Sequence, residues 1–362
     1  MHVIKPVLTK QNLSKQDIID LLALKNKAEI EELFAHANDL TRRTLGNQVF
    51  LRGLIEFSNI CNRDCKYCGI RKSNKEIDRY QMSMDEILKA AEWIYEQGFG
   101  SLVLQSGERS DPDFINFVDQ ILKEIKILSN NKLGITLSVG EQSLETYQRW
   151  FNSGAHRFLL RVETTNEKLY KKIHPGQYSL KERISALHRI KKSGYQVGTG
   201  IMIGLPGQSF DDLADDLIFM QEKDIDMIGM GPYIPHENTP MANSLKDFNK
   251  EEQLELALKM IAVTRIHLRD VNIASTTALG ALHPHGKKMG LESGGNVIMP
   301  NLTPRKYQDN YKLYEDKPAF LASFKDDFEN LKLEIKAAGK EIGFHKWGDS
   351  PHFYRRTREN QV

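Results

Sequence analysis

Residues 51–68 read Leu-Arg-Gly-Leu-Ile-Glu-Phe-Ser-Asn-Ile-Cys-Asn-Arg-Asp-Cys-Lys-Tyr-Cys, and they hold every cysteine of the chain: Cys61, Cys65 and Cys68. The first seven form an apolar-rich run of strand length, so the thiols fall on the loop at that strand's carboxyl end. The spacing C-x3-C-x2-C brings three soft thiolates to one centre and supplies no fourth. A [4Fe-4S] cluster held by thiolates ordinarily takes four. Three leave one iron with an open position, a place for chemistry rather than for electron storage. Zinc is the competing occupant, but structural zinc closes with four protein ligands, and the next histidine downstream is His156. An odd, crowded set of thiols is not a secreted disulfide framework.

Outward from this stretch, short apolar runs alternate with amphipathic helices. Strand candidates are 51–57, 100–105, 133–139, 156–162, 195–203, 226–231, 271–275 and 295–299. Helical patterns occupy 83–97, 112–127, 142–152, 179–193, 210–223, 249–268 and a shorter segment near 278–290. Strand-then-helix repeated about eight times predicts an α/β fold, a (β/α)8 TIM-type barrel with all strands parallel. Residues 9–45, with Ile18, Ile19, Leu21, Leu22 and Leu24 behind a capping Ser14, predict an N-terminal helical collar or lid outside the barrel. Residues 304–362 predict a C-terminal helical extension, helical over 326–338 and frayed at its polar end. The domain reading is therefore 1–48 helical extension, 49–303 barrel and 304–362 helical extension.

The formal charge of +2, from 50 basic and 48 acidic residues, gives no field that recruits nucleic acid or a membrane surface. No apolar run has the length of a spanning helix, and Met1-His2-Val3-Ile4-Lys5-Pro6 does not begin a signal peptide. A cytoplasmic location with reduced thiols is expected.

In a barrel of this kind reactive groups sit just after strands. The cysteine loop follows the first strand and Gln105-Ser106-Gly107-Glu108 the second; Thr136 and Ser138 lie in the third. Arg161, Glu163 and Thr164 end the fourth strand, Thr199 and Gly200 sit in the fifth, Thr276 and Thr277 follow the seventh, and Asn301 follows the eighth. Blander readings stay open: a solvated Gly-Glu turn at 107–108, a helix-surface Arg183, a glycine-spaced buried strand at 198–204, and hydrogen-bonded core groups for the polar strand residues.

The C-x3-C-x2-C motif with aromatic Tyr67 before its last cysteine resembles that of the radical S-adenosylmethionine (SAM) superfamily. The blocks IEFSNICNRDCKYCGIRKSNKEIDRYQM, LVLQSGE, MIGLPGQSFDDLADDL, GPYIPHENTPMAN and GGNVIMPN, spread over about residues 50–315, resemble the biotin-synthase-related [FeFe]-hydrogenase maturase HydE family. The resemblance implies a [4Fe-4S] cluster on Cys61, Cys65 and Cys68, with SAM chelating the open iron through its amino and carboxylate groups. Reductive cleavage then yields methionine and a 5′-deoxyadenosyl radical. It also implies a cofactor site of Tyr67, Ser106, Gly107, Glu108, Glu163, Arg183, Thr199 and Met202, with Glu108 on the ammonium and Arg183 on the carboxylate. An internal substrate cavity is expected around Gln105, Thr136, Ser138 and Arg161, and around Thr276, Thr277, Met299 and Tyr307. The implied substrate is a small iron–cysteine complex bearing carbon monoxide and cyanide, from hydrogenase cluster assembly. The implied partner is an electron donor such as ferredoxin or flavodoxin.

Several departures bear on the substrate. No cysteine follows Cys68, so the second cysteine-ligated cluster of many family members is absent, and sulfur insertion of the biotin-synthase kind is disfavoured. Val162 stands where a histidine is expected beside the strand-four acid, Glu292-Ser293 replaces an Arg-Cys pair, and the loop His283-Pro284-His285-Gly286 is unusual. Two other readings therefore stay open: a relative rearranging another small substrate, of the methylornithine synthase kind, and a non-catalytic iron–sulfur protein.

Overall fold

The structure, a computed structural model, describes residues 4–176, 178–315, 317 and 324–359; residues 360–362, part of the tail expected to fray, lie outside the described residues. Eight parallel strands close on themselves: β1 Gln48–Ser58, β2 Ser101–Ser106, β3 Gly134–Ser138, β4 Ala155–Leu159, β5 Gln196–Thr199, β6 Met227–Ile228, β7 Asn272–Ser275 and β8 Val297–Ile298. Closure is direct, with Phe50 opposite Val297 and Leu51 opposite Ile298. Strands of a parallel barrel are covered on both faces, and β1 is buried without interruption from Leu51 to Ser58. Short polar residues start the crossover helices: Ser83 caps Met84–Glu96, Asp111 caps Pro112–Leu128 and Ser143 caps Leu144–Asn152, each side chain accepting a backbone N–H.

Strands five and six are shorter than their apolar runs. Beyond Thr199 and Ile228 the chain leaves the barrel wall, and Met202–Ile203 pairs with Gly231–Pro232 in a separate parallel ladder above the mouth. The cause is a close backbone approach: a Cβ on Gly200 would stand 2.1 Å from the Gly229 carbonyl oxygen. The segment near 278–290 is two helices, Thr277–Leu282 and Gly286–Glu292. Pro284 disfavours a helical conformation at His283, which is extended with φ −151°.

The N-terminal helices Lys15–Leu22 and Lys27–Leu45 pack on the outer helices Phe210–Glu222 and Lys250–Leu268. They form a collar on the helical layer and do not cover the mouth. Helix Lys250–Leu268 is thereby sandwiched and buried on nearly every side.

The carboxyl-terminal segment corrects the expectation of a frayed tail. Glu341–Ile342 (β9) adds to the start of β1, with Gln48 opposite Glu341. Residues 347–356 then lie across the amino-terminal end of the barrel. Inward polar groups there need partners once water is excluded, and this segment supplies them. Arg157 of β4 places Nε 2.9 Å from Asp349 Oδ1, and Arg52 and Asn272 donate to the Gly348 carbonyl at 3.1 and 2.8 Å. Gln196 accepts from Ser350 N at 3.1 Å, and Asp226 receives Arg356 at 2.8 and 2.6 Å. The base of the barrel is plugged. Among the described residues no helix is long and apolar enough to cross a membrane.

Candidate active site

At the opposite end, the cysteine loop is held by backbone recognition. The Arg79 guanidinium donates to the carbonyls of Asn59 (2.7 Å), Ile70 (2.8 Å), Arg71 (2.6 Å) and Asn74 (3.1 Å), clasping the loop from outside. Cys61 Sγ accepts N–H bonds from Arg63 (3.4 Å) and Glu108 (3.3 Å). The turn after β2 therefore touches the first thiol. Gly107 permits this, since a Cβ there would meet Ile60 O at 2.4 Å and Cys61 Cβ at 2.7 Å.

Burial raises all three thiols above their ordinary range, Cys65 to about 12, with the neighbouring sulfurs adding to the effect at Cys65 and Cys68. Three such sulfurs ionise together when a cationic metal centre supplies compensating charge. The donor set of three soft sulfurs with N–H bonds aimed at one of them fits an iron–sulfur cluster. Among the described residues no group of three or more His, Cys, Asp or Glu has the arrangement of a single-ion site. His156, the candidate fourth zinc ligand, lies at the plugged base, 3.2 Å from Asp349. It cannot reach the cysteines.

Beside the loop sits a ring of four charges. Arg63 Nε pairs with Glu108 Oε1, Arg63 Nη2 lies 2.7 Å from Glu141 Oε2, Arg183 Nε lies 2.9 Å from Glu141 Oε1, and Arg183 Nη2 is 3.6 Å from Glu108 Oε2. Burial opposes the Arg63 charge, but the Glu108 and Glu141 carboxylates outweigh it and raise its pKa. Burial likewise pushes Glu108 up, against the pull of Arg183 and Arg63. Neither Arg63 nor Glu141 was singled out by spacing. Glu141 was visible only as a Gly-Glu pair just past β3, echoing the Gly107-Glu108 pair past β2.

Glu163 has φ +65°, a strained setting for a residue with a side chain. Its carbonyl accepts from Met202 N at 3.0 Å, and its carboxylate receives Arg161 Nε and Nη2 at 2.9–3.1 Å. These groups border a cavity of about 210 Å³. Tyr67, Cys68, Glu163 and Met202 form one side; Gln105, Ser138, Arg161, Thr276, Thr277 and Met299 continue the wall. The Thr276 hydroxyl is buried without a protein partner. Further lining residues were not anticipated, among them Glu56, Tyr314 and Lys317. Lys317 Nζ bonds Glu56 Oε1 at 2.5 Å, and Asn301 donates to Glu56 Oε2 at 2.9 Å. A glutamate inside an apolar strand was the available signal for Glu56; Lys317 arrives from 261 residues away.

Three expected positions differ. Tyr307 is outside the cavity: its ring stacks on Tyr80 at 4.5 Å and its hydroxyl donates to Glu86 at 2.9 Å. Thr199 is fully buried in the wall, its hydroxyl spent on the Leu160 carbonyl at 2.9 Å. Thr136 lies deeper, bordering a void of about 20 Å³ with Arg52 and Asn272. The unusual residues also fall away from the cavity. Val162 is packed in the core, Ser293 donates to the Met289 carbonyl, and Glu292 pairs with Lys288 at 2.7 Å on an outer helix.

The chain matches the Radical SAM superfamily over residues 55–220. It is 42% identical over 311 residues to the [FeFe] hydrogenase maturase subunit HydE of Thermotoga maritima, covering 86% of each protein. The chain belongs to the HydE family of radical SAM enzymes. As a member it carries a [4Fe-4S] cluster on three cysteines and cleaves SAM. This HydE-family chain is also 28% identical to the 3-methylornithine synthase of Methanosarcina acetivorans over 331 residues, 91% of this chain and 88% of that one. The crystal structure of methylornithine synthase (PylB) superposes with a TM-score of 0.80 at 26% identity, covering 94% of this chain and 96% of that one. The X-ray structure of the maturase HydG from Carboxydothermus hydrogenoformans gives the same TM-score, 0.80, at 21% identity, over 97% of this chain and 81% of that one.

Proposed function

We propose that this enzyme is a hydrogenase maturase of the HydE type, directing a 5′-deoxyadenosyl radical onto a small iron–cysteine organometallic substrate in the barrel cavity. The observation that carries this is 42% identity sustained over 86% of the chain. Supporting it, the departures at Val162, Glu292 and Ser293 leave the cavity lining untouched. When bound, the reduced cluster supplies one electron to the SAM sulfonium, which breaks its carbon–sulfur bond. The chain positions and excludes water. Glu108 accepts from the methionine ammonium, Arg183 faces its carboxylate, and Glu163 and Met202 flank the nucleoside. Arg161, Ser138, Gln105 and the two threonines meet the substrate. A cavity of about 210 Å³ admits a small molecule and no folded protein client. A one-electron donor such as ferredoxin or flavodoxin and a cytoplasmic location belong to the same reading.

Methylornithine-type rearrangement is the second reading, favoured by the matching scaffold of PylB. Two assays decide. Anaerobic reduction with SAM should yield 5′-deoxyadenosine; none would mean a non-catalytic iron–sulfur protein. Expression in a strain lacking its HydE should restore hydrogenase activity. Intact SAM cleavage without restoration assigns another substrate.

A further inference from the structure

We infer that Glu141 is a positioning residue for SAM, fixing the Arg183 guanidinium for the methionine carboxylate and, through Arg63, tying that pocket to the cysteine loop. The inference rests on the assignment of Glu108 and Arg183 to the methionine half of the cofactor.

Glu141 follows Gly140, whose φ of +82° turns the chain back over the mouth after β3. A Cβ on Gly140 would overlap Glu108 Cγ at 2.0 Å, so the backbone just before Glu141 packs directly on the Glu108 side chain. The two oxygens of Glu141 serve different elements. Oε1 faces Arg183, on helix Leu180–Lys192, and Oε2 faces Arg63, between the first two cysteines. Arg63 returns to Glu108, and Arg183 approaches it from the other side. Cations and anions thus alternate around a closed ring whose side chains are only 9–16% exposed.

The ring is neutral, and this matters for the ligand. The methionine head group brings one ammonium and one carboxylate. It meets one glutamate and one arginine without leaving a buried charge unmatched. A guanidinium is planar, and held along its Nε side it offers its remaining edge in a fixed orientation. The Arg183 Nε–H is not aligned on Glu141 Oε1, so their contact at 2.9 Å is an ion pair rather than a linear hydrogen bond. What Glu141 contributes is therefore charge and orientation. Arg63 carries the same constraint to the thiols: its N–H donates to Cys61 Sγ at 3.4 Å, its guanidinium lies 4.0 Å over the Tyr178 ring, and Tyr178 donates to the Asn62 carbonyl at 3.0 Å. SAM chelating an iron held by that loop needs loop and carboxylate pocket in register. Glu141 pairs with a cation of each, at 2.7 Å from Arg63 and 2.9 Å from Arg183, closer to Arg183 than Glu108 is at 3.6 Å.

The test is Glu141→Gln in the cluster-loaded enzyme, with SAM affinity by equilibrium dialysis and amide exchange of residues 61–68 measured without SAM. The expected result is a dissociation constant raised roughly 10- to 100-fold, the usual loss for a group orienting another. Iron content should stay at the wild-type level, KM for SAM should rise more than kcat falls, and loop exchange should quicken. Glu141→Asp, which keeps the charge with a shorter reach, should recover part of the affinity, and it replaces Glu141→Gln should that variant not fold. SAM affinity within about twofold of wild type, with only thermal stability changed, would make Glu141 merely structural and overturn the inference. Arg183→Ala separates the two levels. If it too leaves SAM affinity unchanged, the cofactor assignment has failed; if it weakens SAM while Glu141→Gln does not, only the role of Glu141 falls.

Discussion

Removing the Asp349 carboxylate probes the plug at the barrel base. Its side chain is 8% exposed and lies against Arg157, which is 0% exposed. Among the described residues the Arg52 guanidinium, buried beside them, has only the Gly348 carbonyl and the Met227 sulfur as hydrogen-bond partners. Among the described residues Asp349 is the one carboxylate that acts on both guanidiniums. Burial opposes its charge, yet Arg157 and then His156 hold its carboxyl far below the usual range. Asp349→Ala leaves buried cations unmatched, a change that costs about 3–5 kcal/mol. Unfolding entropy of about 2.1 cal/mol/K per residue over 362 residues is about 0.76 kcal/mol/K. The expected fall in Tm is therefore about 4–7 °C, read by circular dichroism on anaerobically purified protein. The double variant Arg157→Met/Asp349→Leu, which removes that ion pair and leaves Arg52 alone unmatched, should regain part of that loss. A fall under about 1 °C for Asp349→Ala, or a double variant worse than the single, would refute the plug.

Asp216 is buried, with Thr165 N and Oγ1 donating to its Oδ1 at 2.6 Å and its Oδ2 unpartnered. Burial raises its pKa from 3.8 to about 7. The folded state then holds a proton that the unfolded state has lost between those values, so this contribution is full below about pH 4 and disappears as pH rises through 7. The Tm of wild type minus that of Asp216→Asn should decline from about pH 5 to about pH 7.5, and a flat difference would exclude the proton. Tyr307→Phe should leave SAM cleavage and substrate turnover within about twofold of wild type while losing about 1 kcal/mol of stability with its Glu86 bond; a strong activity loss would return Tyr307 to the cavity. Cys61→Ala, Cys65→Ala and Cys68→Ala should each abolish iron–sulfur absorbance and 5′-deoxyadenosine formation together, and retention of both by any one would remove that cysteine from the ligand set.

The barrel was legible because a parallel strand covered on both faces leaves an apolar-rich run, as in Leu51 to Phe57. Capping residues at Ser83, Asp111 and Ser143 then mark where each helix begins. The break in strand five was not legible, since it depends on Gly200 meeting the Gly229 backbone rather than on either residue alone. The tail was misread for a related reason: its polar residues resemble a solvated end until Arg157, 192 residues away, is placed against Asp349. At the mouth, position after a strand located the cysteines, Glu108, Glu163 and Arg161. It could not separate Tyr307, turned outward onto Tyr80, from Tyr314, turned inward. Nor could it find Lys317, whose partner Glu56 lies on the first strand.

The cavity wall has an uneven ancestry along the chain. Every group assigned to SAM precedes residue 203, whereas the facing wall is drawn from Gly229 to Ile234, from Thr276 to Ala278, and from Met299 to Lys317. The far wall of the chamber is thus written apart from the radical generator, while Gln105, Ser138 and Arg161 of the near wall are interleaved with it. A lineage can reshape that far wall by editing the stretches from Gly229 onward and inherit the generator unchanged.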